Sequence, residues 1–463
     1  MKLSKFKAPD TFIIISSLIV IAAVLTWIIP GGQFEREIVD GRERVLPGSF
    51  QYTDANPQGP FEILLAPIKG FVDAALIIGF VLIVGGAFNV LQRTEAIDAA
   101  LRGIVQAHKK SPVVRALLIP IFMVLFSLAG SIFGMAEETI PFVLIFVPLA
   151  LALRYDSIVG AAIPFVGSGA GFAGAFLNPF TIGIAQGIAE VPLFSGIEYR
   201  VIVWLITTSI TITFVMLYAQ RIRKDPTKSL VYDLDKEKRE TLKLDFDEGE
   251  PLDTRHKLVL ATFAVGMMVL VVGVLQFHWY IEEIAALFLA TGIAVGIVGG
   301  LNADQISKGF LEGAKDLVGT AIIIGLARGI LIVAKDGRII DTMLHAMSTV
   351  IGTFHPIVSS QLMMGVQTLL NFFVPSGSGQ AALTMPVMAP LADLVGVSRQ
   401  TAVLAYQFGD GFTNLIIPTS AVTMGVLTLA KVPWERWARW ILPLIGWLFL
   451  AGLLLLIPAH FLW

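Results

Sequence analysis

Long apolar segments separated by short polar ones follow one another along the whole chain. The first covers residues 11–30, and about 19 apolar residues are enough to cross a hydrocarbon core of roughly 30 Å. Most later segments have a similar length, which predicts a polytopic α-helical membrane protein. They lie at residues 73–92, 113–133, 140–153, 157–189, 201–220, 257–276, 281–300, 316–334, 356–374, 381–396, 398–430 and 440–461.

The composition supports this class and excludes several functions. Of the 463 residues, 56% are hydrophobic and 15% are charged, against roughly 25% charged in soluble domains. A net charge of −2 gives no basis for nucleic-acid binding. The chain has no cysteine, its six histidines are scattered, and no P-loop, zinc-protease or serine-hydrolase motif occurs. We therefore expect neither an enzyme nor a bound cofactor or resident metal.

A charged stretch at residues 221–256 divides the chain into two similar halves. It has no apolar periodicity and predicts a solvated cytoplasmic linker. Gly70-Phe-Val-Asp73 recurs as Gly313-Ala-Lys-Asp316, and other matched pairs keep offsets between 241 and 245 residues. An internal duplication is the simplest interpretation. Residues 1–60 then form a first membrane helix and an external loop, 61–220 the first repeat, 257–300 two connecting membrane helices and 301–463 the second repeat.

Each half contains two segments that do not fit plain spanning helices. Residues 140–153 make roughly 21 Å of helix, which is shorter than the hydrocarbon core. They follow a Gly-rich stretch, so we predict a re-entrant hairpin at about 113–153 and its repeat at about 356–396. The next segments, 157–189 and 398–430, are predicted to be broken helices, because Gly- and Pro-rich sequence interrupts them. Non-helical backbone at that depth is tolerated where it is buried or lines a polar cavity.

The distribution of Lys and Arg predicts the orientation. If the hairpins do not cross, the basic segments 93–115, 221–257 and 431–439 fall on one side, which places the N-terminus in the cytoplasm and the C-terminus outside. Five crossings separate Asp73 from Asp316, and this odd number inverts the second repeat. The predicted fold class is thus an all-α polytopic membrane protein: an inverted-repeat secondary transporter with two re-entrant hairpins and two broken helices.

Several motifs resemble those of a known family. They are Gly134-Met-Ala-Glu-Glu-Thr-Ile-Pro141, Asn178-Pro-Phe-Thr181, Gly325-Leu-Ala-Arg-Gly329, Asn371-Phe-Phe-Val-Pro-Ser-Gly-Ser-Gly-Gln-Ala381 and Gly409-Asp-Gly-Phe-Thr-Asn414. The chain resembles the YfcC-type basic amino acid antiporters, within the DcuC-like C4-dicarboxylate anaerobic carriers of the ion transporter superfamily. The resemblance implies a homodimeric carrier of the bacterial inner membrane. Its hairpin tips differ from the Ser-Asn-Thr tips of sodium/dicarboxylate symporters, so the coupling ion and the substrate both stay open.

Two adjacent acids, Glu137 and Glu138, lie beside Thr139 at the predicted tip of the first hairpin. One role is to cap the following helix, which stabilises a helix by up to about 1 kcal/mol. A carboxylate at the bilayer centre costs roughly 2.5–3.5 kcal/mol on the insertion scale. Two such acids therefore need a polar cavity or a cation, and we expect them to bind an amine of the substrate.

Arg328 lies near the middle of the apolar segment 316–334. An arginine at that depth needs a carboxylate partner or an anionic ligand. Two roles fit the sequence: a salt bridge to Glu137, Glu138 or Asp410, and direct recognition of a substrate carboxylate.

Helix N-termini at the predicted breaks are candidate carboxylate sites, because they present free N–H groups and a positive dipole end. Asn178-Pro179 has the form of an N-cap followed by proline, and Ser376 and Ser378 could cap a helix beginning at Ala381. Together with the acids and Arg328, these termini would fit a zwitterion. The other candidate substrate-binding residues are Thr181, Gly377, Gln380, Asn414 and Thr419.

The two halves differ at one position of interest. Ser168 in the first half aligns with Asp410 in the second, and each lies between two glycines. We take Ser168, Asp410, Thr413 and Asn414 as candidate ligands of a coupling ion. Asp410 could complete an oxygen shell around a cation, exchange a proton, or accept hydrogen bonds from its own loop.

These features predict a secondary active transporter of small amino acids, basic ones included, or of related carboxylates. Transport would proceed by exchange or by coupling to sodium or protons. The alternatives are a C4-dicarboxylate or other organic-anion carrier and, from another class, an ion channel. The expected partners are the lipid bilayer, a second copy of the chain and a small-molecule substrate, not nucleic acid.

Overall fold

The computed structural model describes residues 11–39, 42–46, 48–241, 252–277, 279–351 and 354–463. α-Helices dominate these ranges, and seven of them are long and apolar enough to cross a membrane. The prediction of an all-α polytopic membrane protein is confirmed. The helices are α1 Thr11–Ile28, α2 Pro60–Asp73, α3 Ala75–Arg93, α4 Ala96–Lys110, α5 Pro112–Phe133, α6 Val143–Ala152, α7 Ser157–Ala173, α8 Ile184–Ile188, α9 Ile197–Lys224, α10 Tyr232–Thr241, α11 Thr254–Phe277, α12 Ile281–Val298, α13 Ala303–Asp316, α14 Val318–Asp336, α15 Ile340–Ile351, α16 Pro356–Asn371, α17 Gly377–Leu394, α18 Arg399–Thr413, α19 Ala421–Ala430 and α20 Trp434–Leu462.

The helix bounds recur in the second half of the chain. α13 begins and ends 243 residues after α2, and α14 begins and ends 243 residues after α3. α2 packs along α14, and α13 packs along α3. Each half therefore contributes a helix that packs along a helix of the other half.

Small residues allow these exchanged helices to approach closely. A Cβ added at Gly70 of α2 would lie 2.7 Å from the amide nitrogen of Gly329 and would also collide with the carbonyl oxygen of Gly325. Gly325 and Gly329 are four residues apart, the spacing that brings membrane helices into backbone contact. Gly313 of α13 meets the backbone of Gly85 in the same way.

The two predicted broken helices are present. The first consists of α7, a π-helical turn at Pro179–Gly183 and α8, and the second of α18 and α19. Side chains from other helices satisfy the backbone at both breaks. The hydroxyl oxygen of Ser131 accepts from Phe176 N at 3.3 Å, while the indoles of Trp434 and Trp437 donate to Ile416 O at 2.7 Å and Leu415 O at 2.9 Å.

The predicted hairpins correspond to two helix pairs, and their re-entrant placement stays a prediction. α5 and α6 are joined by a 3₁₀ turn at Glu137–Thr139. α16 and α17 form the second pair, and α17 begins at Gly377, four residues before the start that the sequence predicts at Ala381. Ser376 is the N-cap of α17 and accepts from Gly379 N at 3.3 Å, so the helix begins directly after this residue.

Two segments that the sequence predicts to be loops contain regular structure. In the predicted external loop, β1 Gly32–Gln33 pairs with β4 Gln51–Tyr52, and β2 Arg36–Val39 with β3 Arg42–Val45. The charged linker is not simply a solvated loop, because it contains α10, which packs against the rest of the protein. Arg436 of α20 forms an ion pair with Asp233 of α10 and lowers the pKa of that carboxyl to about 2. Linker residues 242–251 lie outside the described residues.

Candidate functional site

A cavity of about 230 Å³ lies where the hairpin tips, the broken helices and α14 meet. It is large enough for a small metabolite. Eleven of the sequence-predicted site residues line it: Glu137, Glu138, Thr139, Ser168, Thr181, Arg328, Ser376, Gly377, Ser378, Asn414 and Thr419. The other five, Asn178, Pro179, Gln380, Asp410 and Thr413, lie outside the lining.

The first hairpin tip brings Glu137 and Glu138 to the cavity. Gly134 ends α5 with a φ of 75°, a conformation that favours glycine, and it lets the chain turn sharply towards the acids. Glu138 is 9% exposed and accepts from Ala136 N at 3.0 Å. Neither glutamate forms an ion pair with any described residue. Two adjacent acids thus face the cavity without a cationic partner from the described part of the chain.

Ser168 connects this tip to the first broken helix. Its hydroxyl donates to Met135 O at 2.5 Å, which fixes the turn that carries the acids. Asn178 caps the π-helical turn as predicted, because its Oδ1 accepts from Phe180 N at 2.9 Å. The Asn178 side chain is fully buried against Gly134, so it supports the tip from behind.

Asp410 lies behind the second hairpin tip and is fully buried. Its Oδ1 accepts from Asn414 Nδ2 at 3.0 Å, whereas its Oδ2 has no hydrogen-bond partner. A Cβ built at Gly377 would lie 3.4 Å from that oxygen, so Asp410 Oδ2 is close to the tip. The hydrogen-bond donor to this carboxylate is therefore the side chain of Asn414, not one of the loop N–H groups that the sequence offered as one alternative.

Asn371 organises the residues around Asp410. Its Nδ2 lies 3.0 Å from Asp410 O, 2.8 Å from Thr413 Oγ1 and 3.1 Å from Asn414 Oδ1. The Oδ1 atom of Asn371 is buried without a partner. Two buried oxygens with spare lone pairs, one of them anionic, therefore lie in one polar cluster next to the cavity.

For a salt bridge of Arg328, the sequence predicted Glu137, Glu138 or Asp410 as the partner. This prediction is wrong. Arg328 Nε instead donates to Asp73 Oδ2, at the end of α2. The close approach of Gly70 to α14 places Asp73 within reach of this guanidinium. Both side chains are partly exposed, at 28% for Arg328 and 38% for Asp73, so the pair is accessible to a ligand.

Arg328 also borders a wider cavity of about 880 Å³. The two cavities share Arg328, Leu331, Ser376 and Ser378. The wider cavity is lined by residues of the strands and of α14, including Gln33, Arg36 and Asp336. Arg328 and the second hairpin tip therefore form the boundary between the inner cavity and this vestibule.

Several site residues are not predicted from the sequence. Asp73 ends the repeated motif Gly70-Phe-Val-Asp73, and this repeat was the sequence signal that could have identified it. Asn371 begins one of the motifs that resemble the known family. Gln380, a predicted substrate-binding residue, lies outside the cavity lining, and its Nε2 donates to Gln367 Oε1 at 2.7 Å. Four aromatic side chains also line the cavity: Phe165, Phe172, Phe180 and Tyr280.

Two relatives match nearly the whole length of this chain. The chain is 36% identical to YfcC of Escherichia coli (strain K12), whose name assigns it provisionally as a basic amino acid antiporter, over 98% of this chain and 97% of that protein. It is 31% identical to an uncharacterised protein of Haemophilus influenzae, over 98% and 97% of the two chains.

Two solved structures are similar at lower identity. The YdaH transporter of Alcanivorax borkumensis is 17% identical, with a TM-score of 0.47 over 98% of this chain and 99% of that one. MtrF of Neisseria gonorrhoeae, described among antimetabolite efflux pumps, is 16% identical, with a TM-score of 0.45 over 98% and 96%. The family profile described as C4-dicarboxylate anaerobic carrier matches residues 8–461. The chain belongs to this family, DcuC, and is a membrane transporter.

Proposed function

We propose that this transporter carries cationic amino acids and that Glu137 and Glu138 bind their positive groups. The observation behind the proposal is the charge of the cavity lining, which contains two unpaired glutamates and a single arginine, Arg328, already paired with Asp73. A basic amino acid brings an α-ammonium and a side-chain cation, one for each glutamate. Four aromatic rings in the lining favour the same charge through cation–π attraction.

The carboxylate of such a substrate has two candidate partners in the cavity. Arg328 offers a planar guanidinium that matches a carboxylate, and its present partner Asp73 is partly exposed. The N-terminus of α17 presents Gly377 and Ser378 to the cavity. A zwitterion with an extra cation therefore meets complementary charge at each of its ends.

A C4-dicarboxylate is the second candidate, because the family description names this substrate. Its two negative charges would enter a lining that already contains Glu137 and Glu138. Like charges in a site of low dielectric repel strongly. The lining of this chain therefore favours a cation over a dianion.

We further propose that the cluster of Asp410 and Asn371 holds the coupling cation. The unpartnered Oδ2 of Asp410 and Oδ1 of Asn371 are buried, and an uncompensated buried carboxylate is costly. A proton or a sodium ion would remove that cost. Sodium prefers oxygen ligands, and the nearby Thr413 and Asn414 supply further ones.

We propose the bacterial inner membrane as the location, with the N-terminus in the cytoplasm. Residues 33–60 and 335–355, which the charge bias assigns to the external face, are in contact, since Arg36 Nη2 lies 2.8 Å from Asp341 Oδ2. The homodimer is proposed on the family resemblance alone.

A ligand panel with the purified protein tests the substrate class. We expect lysine, arginine or ornithine to raise the thermal midpoint in a saturable way, because a ligand that binds the folded state stabilises it. Alanine tests a zwitterion without the second cation, and succinate and fumarate test the dianion. Stabilisation by succinate but not by lysine would contradict the proposal.

A further inference from the structure

A second, smaller cavity lies under α10, at the predicted cytoplasmic face. It measures about 220 Å³ and is enclosed by α10, the turn between α6 and α7, and the end of α9. It shares no lining residue with the inner cavity at the hairpin tips. Any ligand it holds is therefore separate from the transported substrate.

Hydrogen bonds fix α10 over this cavity. Asp235 is buried and accepts from Ser157 N at 2.7 Å, at the first residue of α7. Lys238 donates to Asp235 Oδ1 at 2.9 Å and to Ala430 O at 2.8 Å, at the last residue of α19. α10 is thus attached to the cytoplasmic ends of both broken helices, and the cavity beneath it has a defined wall.

The two buried acids in this wall already have their donors. Asp156 Oδ2 accepts from Tyr218 Oη at 2.6 Å and from Ser229 Oγ at 2.7 Å, and its Oδ1 accepts from Val159 N at 2.9 Å. Asp235 is satisfied by α7 and by its neighbour on α10. Each of the four carboxylate oxygens therefore already accepts at least one hydrogen bond.

Three basic side chains in the lining have donors to spare. The side chains of Arg154 and Lys236 form no hydrogen bond or ion pair with a described residue. Arg239 Nη2 donates to Tyr155 O at 2.6 Å, but its Nε is buried without a partner. Asp235 is paired with Lys238, which leaves three basic side chains and two acids, Asp156 and Glu240, so the net charge of the lining is positive.

We propose that this cavity binds a phosphate-type anion, supplied by an anionic phospholipid headgroup or by a free phosphate compound. Arginine guanidiniums bind phosphate oxygens through paired N–H donors. Basic pockets between helices on the cytoplasmic side are suited to anionic headgroups. The anion would bridge Arg154 to Arg239 and so hold α10 against the turn between α6 and α7.

Binding is measured as the thermal midpoint of the full-length protein. Inorganic phosphate is titrated in neutral detergent at constant ionic strength, with chloride as the replacement anion. In parallel, the protein is placed in nanodiscs of phosphatidylcholine alone or with phosphatidylglycerol. We expect a saturable rise of at least about 3 °C in one or both series. A rise in both series assigns a site open to free phosphate, and a rise with phosphatidylglycerol alone assigns a lipid headgroup.

Substitution locates the anion in this cavity. The double variant Arg154→Gln/Arg239→Gln should lose the rise, whereas Lys224→Gln, which removes an exposed charge outside the lining, should keep it. If the double variant is itself destabilised, Arg154→Gln alone serves, because its exposed side chain has no structural contact to lose. No rise with either ligand, or an unchanged rise in the Arg154→Gln variants, would overturn the proposal.

Discussion

In the function that we propose, Glu137, Glu138 and Arg328 determine which charges the inner cavity accepts. The glutamates lie on the first hairpin tip, and Arg328 lies on α14, where it is paired with Asp73. A buried or half-buried carboxylate without a cation costs roughly 1–3 kcal/mol or more in lost hydration. A cationic substrate would supply the missing partner, and we propose that this difference between the empty and occupied states is a source of affinity.

Arg328→Lys should impair transport although it preserves the charge. A lysine ammonium is a point charge and does not reproduce the planar pair of N–H donors that matches a carboxylate. We expect the KM for lysine uptake to rise about tenfold, which corresponds to roughly 1.4 kcal/mol, and Arg328→Met to lose more. Lys335→Met is the matched control, since Lys335 borders only the wider cavity. A wild-type KM in Arg328→Met would exclude a contact with substrate.

Asp410→Asn should uncouple transport from the ion gradient. The amide keeps the size of the side chain but removes the negative charge that a proton or sodium ion would neutralise. We expect exchange of internal for external substrate to continue, while accumulation driven by an imposed pH or sodium gradient falls at least tenfold. Asp316→Asn, an exposed acid outside the cavity lining, should keep both activities. If Asp410→Asn still concentrates substrate, the coupling site lies elsewhere.

Local patterns predicted local geometry at these residues, but not their distant partners. Asn178-Pro179 and Ser376 were predicted as caps, and both accept backbone N–H groups in the structure. Arg328 was predicted to need a carboxylate, yet its partner Asp73 is 255 residues away. That pair depends on the packing of α2 against α14, which no local pattern encodes.

At the scale of helices, the contact between α2 and α14 supports the site from outside. Gly70→Ala would place a Cβ 2.7 Å from Gly329 N and force the two helices apart, which separates Asp73 from Arg328. Overpacking of this kind costs about 1–3 kcal/mol, so we expect a lower thermal midpoint and weaker transport. Gly79→Ala in α3 is the control, because a Cβ there meets nothing within 4 Å. Equal midpoints for the two variants would contradict this account.

Apolar periodicity identified the membrane helices and failed for the polar elements. α10 is rich in charged residues and is held by tertiary contacts such as the ion pair between Asp233 and Arg436. The strand β2 pairs with β3 in a segment without apolar alternation. Such elements are stabilised by contacts with the rest of the fold, which the sequence pattern does not show.

For the whole molecule, the orientation is open to a direct labelling experiment. The chain has no cysteine, so single cysteines can be introduced without background. We expect a membrane-impermeant thiol reagent to label cysteines at Asp54 and Asp336 from outside intact cells. Cysteines at Ser229 and Lys308 should react only after the membrane is opened. Labelling of the cysteines at Asp54 and Ser229 from the same side of the membrane would contradict the predicted topology.

We propose that this member of the C4-dicarboxylate anaerobic carrier family moves cationic amino acids by means of Glu137 and Glu138. Counterflow in proteoliposomes loaded with unlabelled lysine tests it most directly. We predict saturable entry of labelled lysine into vesicles with the wild-type protein and at least a tenfold loss in Glu137→Gln, Glu138→Gln or both, with normal insertion. Vesicles loaded with succinate should show no counterflow of labelled succinate. Succinate counterflow without lysine counterflow, or unchanged lysine counterflow in both variants, would contradict the claim.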